Sequence, residues 1–183
     1  MTGGAVGLAG ISSRLRLLAD LAHRVPLDWV RWTKPQHDWL RLAAPIKLFR
    51  AGNQAIGKTW AQMAEVIWRA TGTHPHYRTR TPPVEIWVIC TSWGQSVAIQ
   101  RKFWELAPKD QLTSWTRNHF RPKDGWGKDN PTVMFVNGSI VRFRTTNQGP
   151  EALAGATVHY IAIDEPPDEA EQRADRADAD ADQ

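Results

Sequence analysis

Eight consecutive residues have the clearest chemical meaning in this sequence. They begin at Gly52 and end at Thr59, read GNQAIGKT, and fit the pattern G-x-x-x-x-G-K-[ST]. In such a loop the glycines allow backbone N–H groups to converge on phosphate oxygens, the lysine reaches the β- and γ-phosphates, and the hydroxyl ligates Mg²⁺. The pattern therefore predicts that Lys58 and Thr59 contact a nucleoside triphosphate and its metal ion.

The residues on either side predict the strand and the helix that this motif requires. Ile46, Leu48 and Phe49 indicate a short buried strand before the loop. After the loop, apolar residues recur at the spacing of one helix face as far as Gly72, a typical helix end. These residues are Trp60, Ala64, Ile67 and Trp68. The helix N-terminus would add its dipole to the anion site. An ordinary glycine-rich turn is the alternative, and it leaves this context unexplained.

A second pattern lies about a hundred residues further on. An apolar, β-branched stretch over residues 158–163 ends in Asp164 and Glu165. In open α/β sheets ligands bind beyond the carboxyl ends of the strands, where a nucleotide held by the first loop would sit. An aspartate there can hold Mg²⁺ through water, and a glutamate can orient or deprotonate the attacking water. Acidic residues after a strand are weak evidence alone, but they are strong evidence together with a phosphate loop.

The charge of the chain is divided unevenly. Residues 1–163 hold 21 Lys and Arg against 10 Asp and Glu, whereas residues 164–183 hold 9 acidic residues against 2 arginines. A body this basic suits a polyanionic partner such as DNA; charge that only keeps the protein soluble is the alternative. Residues 169–183 alternate Ala, Asp and Arg without a large apolar residue, which predicts a disordered tail or a lone solvated helix.

The cysteine, the length of the apolar runs and the histidines indicate which further kinds of site to expect in this protein. The single cysteine, Cys90, excludes an internal disulfide and fits a reducing cytoplasm, and its apolar setting predicts a buried strand residue rather than a nucleophile. No apolar run approaches the length of a membrane span, so no membrane partner is expected. His74 and His76 could be drawn as a metal pair, but two histidines in a Pro-rich loop are more often solvated.

Local patterns predict the remaining elements. Asn137-Gly138 lies between two β-rich stretches, a strong hairpin signal. Residues 108–131 interleave basic and aromatic residues, so they either grip a nucleic-acid backbone and stack on bases, or form an exposed loop pinned by its aromatics. Other predicted elements are an amphipathic helix over 11–24, a short helix ending before Pro45, a strand over 84–91 and a helix over 95–106.

Together these motifs resemble the ATPase domain of the large subunit of tailed-phage terminases, the motors that package DNA into proheads. The resemblance covers roughly residues 29–168, and four features support it. Gln36 lies sixteen residues before Gly52, and FVNGSIVRF at 135–143 matches the family's strand pair. QGPEALAGA at 148–156 is similar to its loop before the acidic strand, and IAIDEPP at 161–167 matches its Asp-Glu-Pro ending.

The resemblance implies a role for each candidate residue. The loop would cradle the triphosphate of ATP, through Gly52, Asn53, Gln54, Ala55, Ile56, Gly57, Lys58 and Thr59. Within it, Lys58 would contact the β- and γ-phosphates and Thr59 would contact Mg²⁺. Asp164 would hold the metal through water and Glu165 would activate the attacking water. Gln36 would read adenine, and this last role rests on the resemblance alone.

The source of the transition-state arginine differs from the family pattern. Many terminases carry an arginine inside the phosphate loop, but the residues at those positions here are Gln54, Ala55 and Ile56. The arginine would then come from elsewhere, and the candidates are Arg50, Arg101, Arg144 or a neighbouring subunit.

The resemblance also implies a fold: a P-loop NTPase of the additional-strand, RecA-like type, a three-layer α/β sandwich. In that fold a strand that follows the Asp-Glu motif lies between the strand of that motif and the phosphate-loop strand. Only 18 residues follow Glu165. We therefore expect a truncated fragment, incomplete at its C-terminus, with apolar edges exposed beside Ile161 and Ile163. The expected parts are an N-terminal helical segment (1–28), a partial ATPase domain (29–168) and an acidic tail (169–183), with no nuclease domain.

The leading hypothesis is an ATP-hydrolysing motor domain of a phage or prophage terminase, acting in the cytoplasm of the bacterial host. The implied partners are double-stranded DNA, the terminase small subunit, the portal and further copies in a ring. A DExD-type helicase is one alternative, but such helicases favour Ala-His or Ala-Asp where this chain has Pro166-Pro167. A catalytically inert nucleotide-binding remnant is the other, which the missing central strand favours.

Overall fold

The computed structural model describes residues 15, 17, 18, 26–50, 57–128, 131–148 and 157–164. Within these ranges the helices with defined bounds are α1 (Lys34–Leu40), α2 (Lys58–Thr71), α3 (Trp93–Leu106) and α4 (Ser114–His119). The strands are β1 (Glu85–Cys90), β2 (Thr132–Met134), β3 (Ile140–Thr145) and β4 (Tyr160–Ile163). Short 3₁₀ turns lie at Pro26–Trp29, Lys109–Gln111 and Thr146–Gln148.

The two long helices follow the local signals in the sequence. The residues of α2 predicted to share a face are buried or half-buried, and the helix ends at Gly72, whose φ of +75° is the left-handed conformation that glycine adopts easily. At the start of α3, the Ser92 hydroxyl accepts a hydrogen bond from the backbone N–H of Gln95 at 3.3 Å, as an N-cap does. Both predicted helices are confirmed.

The strands form one sheet in the order β2-β3-β1-β4. β1 runs parallel to both neighbours, so that Ile89 lies opposite Arg144 of β3 and Ile163 of β4. β2 pairs antiparallel with β3 and completes the predicted hairpin. Because three strands are parallel, their carboxyl ends meet at one edge of the sheet. The expectation of a mixed α/β fold with a mostly parallel sheet is confirmed.

The hairpin turn is held by its asparagine. Asn137 Oδ1 accepts from the backbone N–H of Ser139, and Asn137 Nδ2 donates to the carbonyl of Ala70 near the end of α2, both at 2.9 Å. Gly138 takes a φ of +86° in the same turn. The Asn-Gly pair therefore closes the hairpin and also joins it to the helix that follows the predicted phosphate loop.

One face of the sheet carries the core. Val88 of β1 and Phe143 of β3 are fully buried on this face. Phe143 packs edge-on against Phe103 of α3, with 5.8 Å between ring centroids. The guanidinium of Arg69, in α2, lies 4.2 Å from the ring centroid of Tyr160 in β4. Both long helices therefore cover the same face.

The opposite face carries charged, aromatic and aliphatic side chains. Arg142 and Arg144 of β3 lie on it beside Trp87 of β1. Ile161 and Ile163 of β4 lie on this face as well, opposite Trp87 and Ile89 in the register, and are 48% and 55% exposed. Charged side chains of β3 and apolar side chains of β4 therefore share this face of the sheet.

The predicted strand before the phosphate loop is wrong. Residues 45–50 contain no strand, and Ile46 and Leu48 are 88% and 80% exposed. Of the three residues predicted to form the strand, Phe49 is the one that packs inward, where its ring stacks on Trp39 with 5.5 Å between centroids. A strand needs a neighbour to satisfy its backbone N–H and C=O groups. Within the described ranges β1 pairs with β3 and β4, and no strand lies beside this segment.

The N-terminal helix can be followed at three positions only. Leu15, Leu17 and Leu18 are helical, and all three side chains are exposed. In the predicted amphipathic helix, Leu15 and Leu18 share one apolar face with Ile11. Among the described residues no partner covers that face.

Candidate functional site

The first turn of α2 carries the described part of the predicted phosphate site. Gly57 precedes the helix with a φ of +68°, and Lys58 and Thr59 begin it. Backbone N–H groups of a first helical turn lack intrahelical acceptors and lie at the positive end of the helix dipole, so this turn suits an anion. The other loop residues, Gly52, Asn53, Gln54, Ala55 and Ile56, lie outside the described residues.

Gln36 of α1 contacts this turn directly. Its side chain is buried, and its Nε2 donates to the carbonyl oxygen of Gly57 at 3.0 Å. Its Oε1 accepts from the backbone N–H and the hydroxyl of Thr33, at 2.9 and 3.0 Å. The amide that the resemblance assigns to adenine therefore also holds α1 against the start of α2. Adenine recognition by Gln36 stays a prediction.

The contact between Gln36 and Gly57 can be tested with a pair of glycine variants. Gly57 and Gly127 both have positive φ, where an alanine costs about 1–2 kcal/mol. A Cβ on Gly57 would lie 2.4 Å from Gln36 Nε2, whereas nothing lies within 4 Å of one on Gly127. We expect Gly57→Ala to lose about 1 kcal/mol more than Gly127→Ala in denaturant unfolding, because it also displaces the Gln36 amide. Equal losses would mean that this contact contributes nothing.

A hydrogen bond joins α2 to the acidic end of β4. Gln62 Nε2 donates to the carbonyl oxygen of Ile163 at 2.7 Å, across 101 residues of sequence. Gln62 lies one helical turn after Lys58, since a turn contains 3.6 residues and rises about 5.4 Å. Asp164 directly follows the acceptor. Its backbone N–H donates to Ile89 O at 3.0 Å, which continues the pairing of β4 with β1. The two predicted motifs are therefore neighbours, and no local sequence pattern indicates Gln62 as the residue that links them.

The carboxyl edge of the sheet brings further predicted residues to the same region. Arg144, Ile89 and Ile163 form one row across three parallel strands, and Asp164 comes one residue later. Cys90 ends β1 at this edge but is buried. Burial raises the pKa of the Cys90 thiol to about 11, so the thiol is protonated at neutral pH and is not a nucleophile.

The three candidate arginines lie in different settings. Arg144 is near the carboxyl edge, 5.6 Å from the ring centroid of Trp87, and its buried Nε has no hydrogen-bond partner among the described residues. Arg101 lies on α3 and its guanidinium donates to the carbonyl of Lys123. Arg50 is the last described residue before the phosphate loop. Arg144 lies in the same row as Ile163, which directly precedes Asp164.

The aromatic side chains of the basic segment 108–128 are largely used for packing. Trp126 is 9% exposed and donates from its indole N–H to the carbonyl of Thr116 at 2.9 Å. Trp104 stacks on Phe120 with 4.3 Å between centroids. Trp115 remains 46% exposed. This arrangement favours the interpretation that the aromatic side chains anchor the segment to the core. The segment also contains the short helix α4, which was not predicted.

The described ranges contain neither a candidate metal cluster nor a candidate membrane-spanning helix. There, no group of three or more His, Cys, Asp or Glu is arranged to hold a metal ion. The expectation of a solvated His74 is wrong, because its side chain is fully buried and its Nε2 lies 3.0 Å from Glu65 Oε2. No helix in this part of the chain is long and apolar enough to cross a membrane.

The fold and the site define a mixed α/β protein in which a helix that follows a glycine-rich loop begins beside the acidic end of a parallel strand. The family model described as terminase large subunit, T4likevirus-type, N-terminal, matches residues 48–176. The chain belongs to this family, and the resemblance seen in the sequence is confirmed.

Two solved structures are similar at a lower level. The large terminase ATPase domain of Thermus phage P74-26 is 18% identical with a TM-score of 0.39, and a mutant of the same domain is 21% identical with a TM-score of 0.37. Each match covers 58% of this chain and 43% of the solved chain, so this chain spans less than half of that domain. No curated protein sequence matches the chain. The family assignment rests on the family model.

Proposed function

We propose that this chain is an ATP-binding and ATP-hydrolysing motor domain of a phage or prophage terminase large subunit, which drives DNA packaging. The observation that carries the proposal is the hydrogen bond from Gln62 Nε2 to Ile163 O. It joins the helix that begins with Lys58 to the strand that ends at Asp164, as a nucleotide site between the two motifs requires. Membership of the terminase family supports the same activity.

The residues at this place fit Mg-ATP by their chemistry. The Thr59 hydroxyl and the Asp164 carboxylate are hard oxygen donors, which Mg²⁺ prefers. The N–H groups of the first turn of α2 and the Lys58 ammonium suit phosphate oxygens. Bound Mg²⁺ would neutralise negative charge on the phosphates during transfer.

In the proposed reaction, Lys58 and the loop backbone bind and orient the β- and γ-phosphates. Glu165 aligns a water with the γ-phosphorus and takes its proton as the bond to the β-phosphate oxygen breaks. Gln36 contacts adenine while it holds Gly57. Arg144 is our candidate for the arginine that stabilises the transition state, because it lies at the same sheet edge as Asp164.

The proposed partners follow from the charge of the chain and from the family. Duplex DNA suits the excess of Lys and Arg over residues 1–163, which would contact its phosphates. The small subunit, the portal and further copies of the chain in a ring belong to the same proposal.

Replacing Lys58 by Ala tests nucleotide binding. We expect calorimetric titration with Mg-ATP to show affinity about 100-fold lower than wild type, equivalent to about 3 kcal/mol, because a charged contact to phosphate is removed. Lys123 is exposed and lies outside the phosphate loop and α2. Lys123→Ala is therefore the control and should bind Mg-ATP as wild type does. Tight binding by Lys58→Ala would overturn the assignment of the phosphate loop.

A nucleotide-binding chain without turnover is the second candidate. The half-exposed Ile161 and Ile163 at the β4 edge favour it, since such apolar side chains ordinarily face a neighbouring element. Binding of Mg-ATP without release of phosphate, in the presence of duplex DNA, would favour this candidate over the motor.

A further inference from the structure

Five titratable side chains form a buried network around Glu65 of α2, seven residues after Lys58. This group, the Glu65 cluster, consists of Lys47, Glu65, Arg69, His74 and Tyr77. The Glu65 side chain is fully buried, and the Lys47 side chain is 3% exposed. Charged groups are almost never buried this completely unless they are paired, so the cluster calls for an explanation.

Glu65 is the acceptor at the centre of the cluster. Its Oε2 accepts from Lys47 Nζ at 2.9 Å and contacts His74 Nε2 at 3.0 Å. Its Oε1 accepts from Arg69 Nε at 2.6 Å and from the Tyr77 hydroxyl at 2.5 Å. Burial alone would raise the pKa of Glu65, but hydrogen bonds from His74, Tyr77 and Lys47 outweigh it and lower that pKa to about 2. The carboxylate is therefore charged at neutral pH.

Lys47 is the member that reaches outside α2 and its following loop. It lies in the segment 45–50, which has no regular structure and exposes the neighbouring Ile46 and Leu48. Its Nζ also donates to the Tyr77 hydroxyl at 2.7 Å and lies 4.6 Å from the ring centroid of Trp39 in α1. This ammonium group thus attaches a segment without strand pairing to α1 and α2, in addition to the stacking of Phe49 on Trp39.

These contacts hold the chain on both sides of residues 51–56, at the upstream end before residue 51 and at the downstream end after residue 56. The upstream end is held by Lys47 on Glu65 and by Phe49, which stacks on Trp39. The downstream end is held by Gln36, which donates to Gly57 O. Both attachments lead to the same pair of helices, α1 and α2, so the distance between the ends depends on the ion pair between Lys47 and Glu65.

We propose that Glu65 is a positioning residue for nucleotide binding, which acts by holding Lys47, and with it the entering segment 45–50, against α2. This inference rests on the proposed function. Glu65 does not contact the nucleotide: it lies about 10 Å along the helix axis from Lys58, since seven residues rise 1.5 Å each. It sets the separation of the ends between which phosphate-binding groups must converge. In enzyme sites a displacement of about 1 Å in positioned groups can lower the rate about 100-fold, so their placement matters.

The experiment compares binding of Mg-ATP with stability in the same variants of the full chain. Lys47→Met and Glu65→Gln each break the ion pair while keeping similar side-chain volume. Leu112→Ala, a fully buried residue bridged to Phe135 next to the hairpin, is the control for loss of stability without change to the cluster. Dissociation constants are measured by calorimetry at a temperature where circular dichroism shows every variant folded.

We expect Lys47→Met and Glu65→Gln to bind Mg-ATP at least about tenfold more weakly than wild type, and Leu112→Ala to bind as wild type does. The double variant should bind no more weakly than the worse single variant, because both changes break one contact. If Glu65→Gln fails to fold, Lys47→Met decides, since Arg69, His74 and Tyr77 still satisfy the carboxylate. Wild-type affinity in Lys47→Met would overturn the inference.

The same titration separates this inference from the proposed function. One outcome is that wild type binds Mg-ATP, Lys58→Ala binds it about 100-fold more weakly and both cluster variants bind as wild type does. The proposed function then stands and the positioning role of Glu65 is wrong. If wild type does not bind, or Lys58→Ala binds equally well, the proposed nucleotide site itself is wrong and the inference fails with it.

Discussion

Glu165→Gln should bind Mg-ATP as tightly as wild type and hydrolyse it about 10²–10⁴ times more slowly. The amide keeps the shape of the side chain, so it does not disturb the phosphates held by Lys58, but it cannot take a proton from the attacking water. Glu165 lies outside the described residues and follows Asp164, whose place at the end of β4 the structure gives. Single-turnover release of phosphate in the presence of duplex DNA measures this effect.

Asp168→Asn is the matched control for Glu165→Gln. It removes a carboxylate from the same acidic stretch, three residues later, and should leave turnover unchanged. Hydrolysis by Glu165→Gln at the wild-type rate would place the base elsewhere.

Loss of an arginine finger costs about 10³–10⁵ in rate, so a chain that needs an arginine from a neighbouring copy must be assayed at concentrations where copies associate.

Glu65→Gln should lower the free energy of unfolding at pH 7 by about 3–5 kcal/mol, because it leaves the buried Lys47 ammonium without its carboxylate. The wild type should also lose stability in acid. The ordinary pKa of a glutamate, 4.5, represents the unfolded chain, and in the folded protein the pKa of Glu65 is about 2. This group therefore contributes about 3 kcal/mol above pH 4.5, which is lost as the pH falls toward 2.

The loss of stability in acid that we assign to Glu65 can be tested with Glu65→Gln, which lacks the titrating carboxyl group. Urea unfolding between pH 7 and pH 2.5 should show a smaller fall in stability for Glu65→Gln than for wild type. Glu85→Gln is the control, since Glu85 pairs with Arg142 at 2.9 Å but both side chains are partly exposed. It should cost about 1 kcal/mol or less. Equal losses at the two positions would mean that burial of the Glu65 cluster adds nothing.

Whether a feature can be predicted from the sequence depends on how far apart its interacting residues lie along the chain. Helices α2 and α3, the hairpin at Asn137-Gly138 and the buried Cys90 were predicted because each signal is contained in a few neighbouring residues. The short helix α4 was missed, although Thr113 could have indicated it: its hydroxyl accepts from the backbone N–H of Thr116 at 3.3 Å, as an N-cap does.

The failures concern features that need a distant partner. Ile46 and Leu48 have the composition of a buried strand, but a strand forms only where another strand supplies hydrogen bonds. Trp126 lies in a basic segment that resembles a nucleic-acid surface, yet it stacks on Phe143 of β3, because the sheet offers an apolar surface there. His74 was expected in solvent and is buried against Glu65.

By itself the sequence determined the terminase family, because the motifs that identify it depend on residue type at short, fixed spacing. The same motifs predict which residues contact Mg-ATP. Only the tertiary structure decided which residues link the motifs. Gln62 reaches Ile163 across 101 residues, and Lys47 reaches Glu65 across 18. Neither pair has a local pattern, since a hydrogen bond between distant residues forms only after helices and strands have packed and brought the two atoms within about 3 Å.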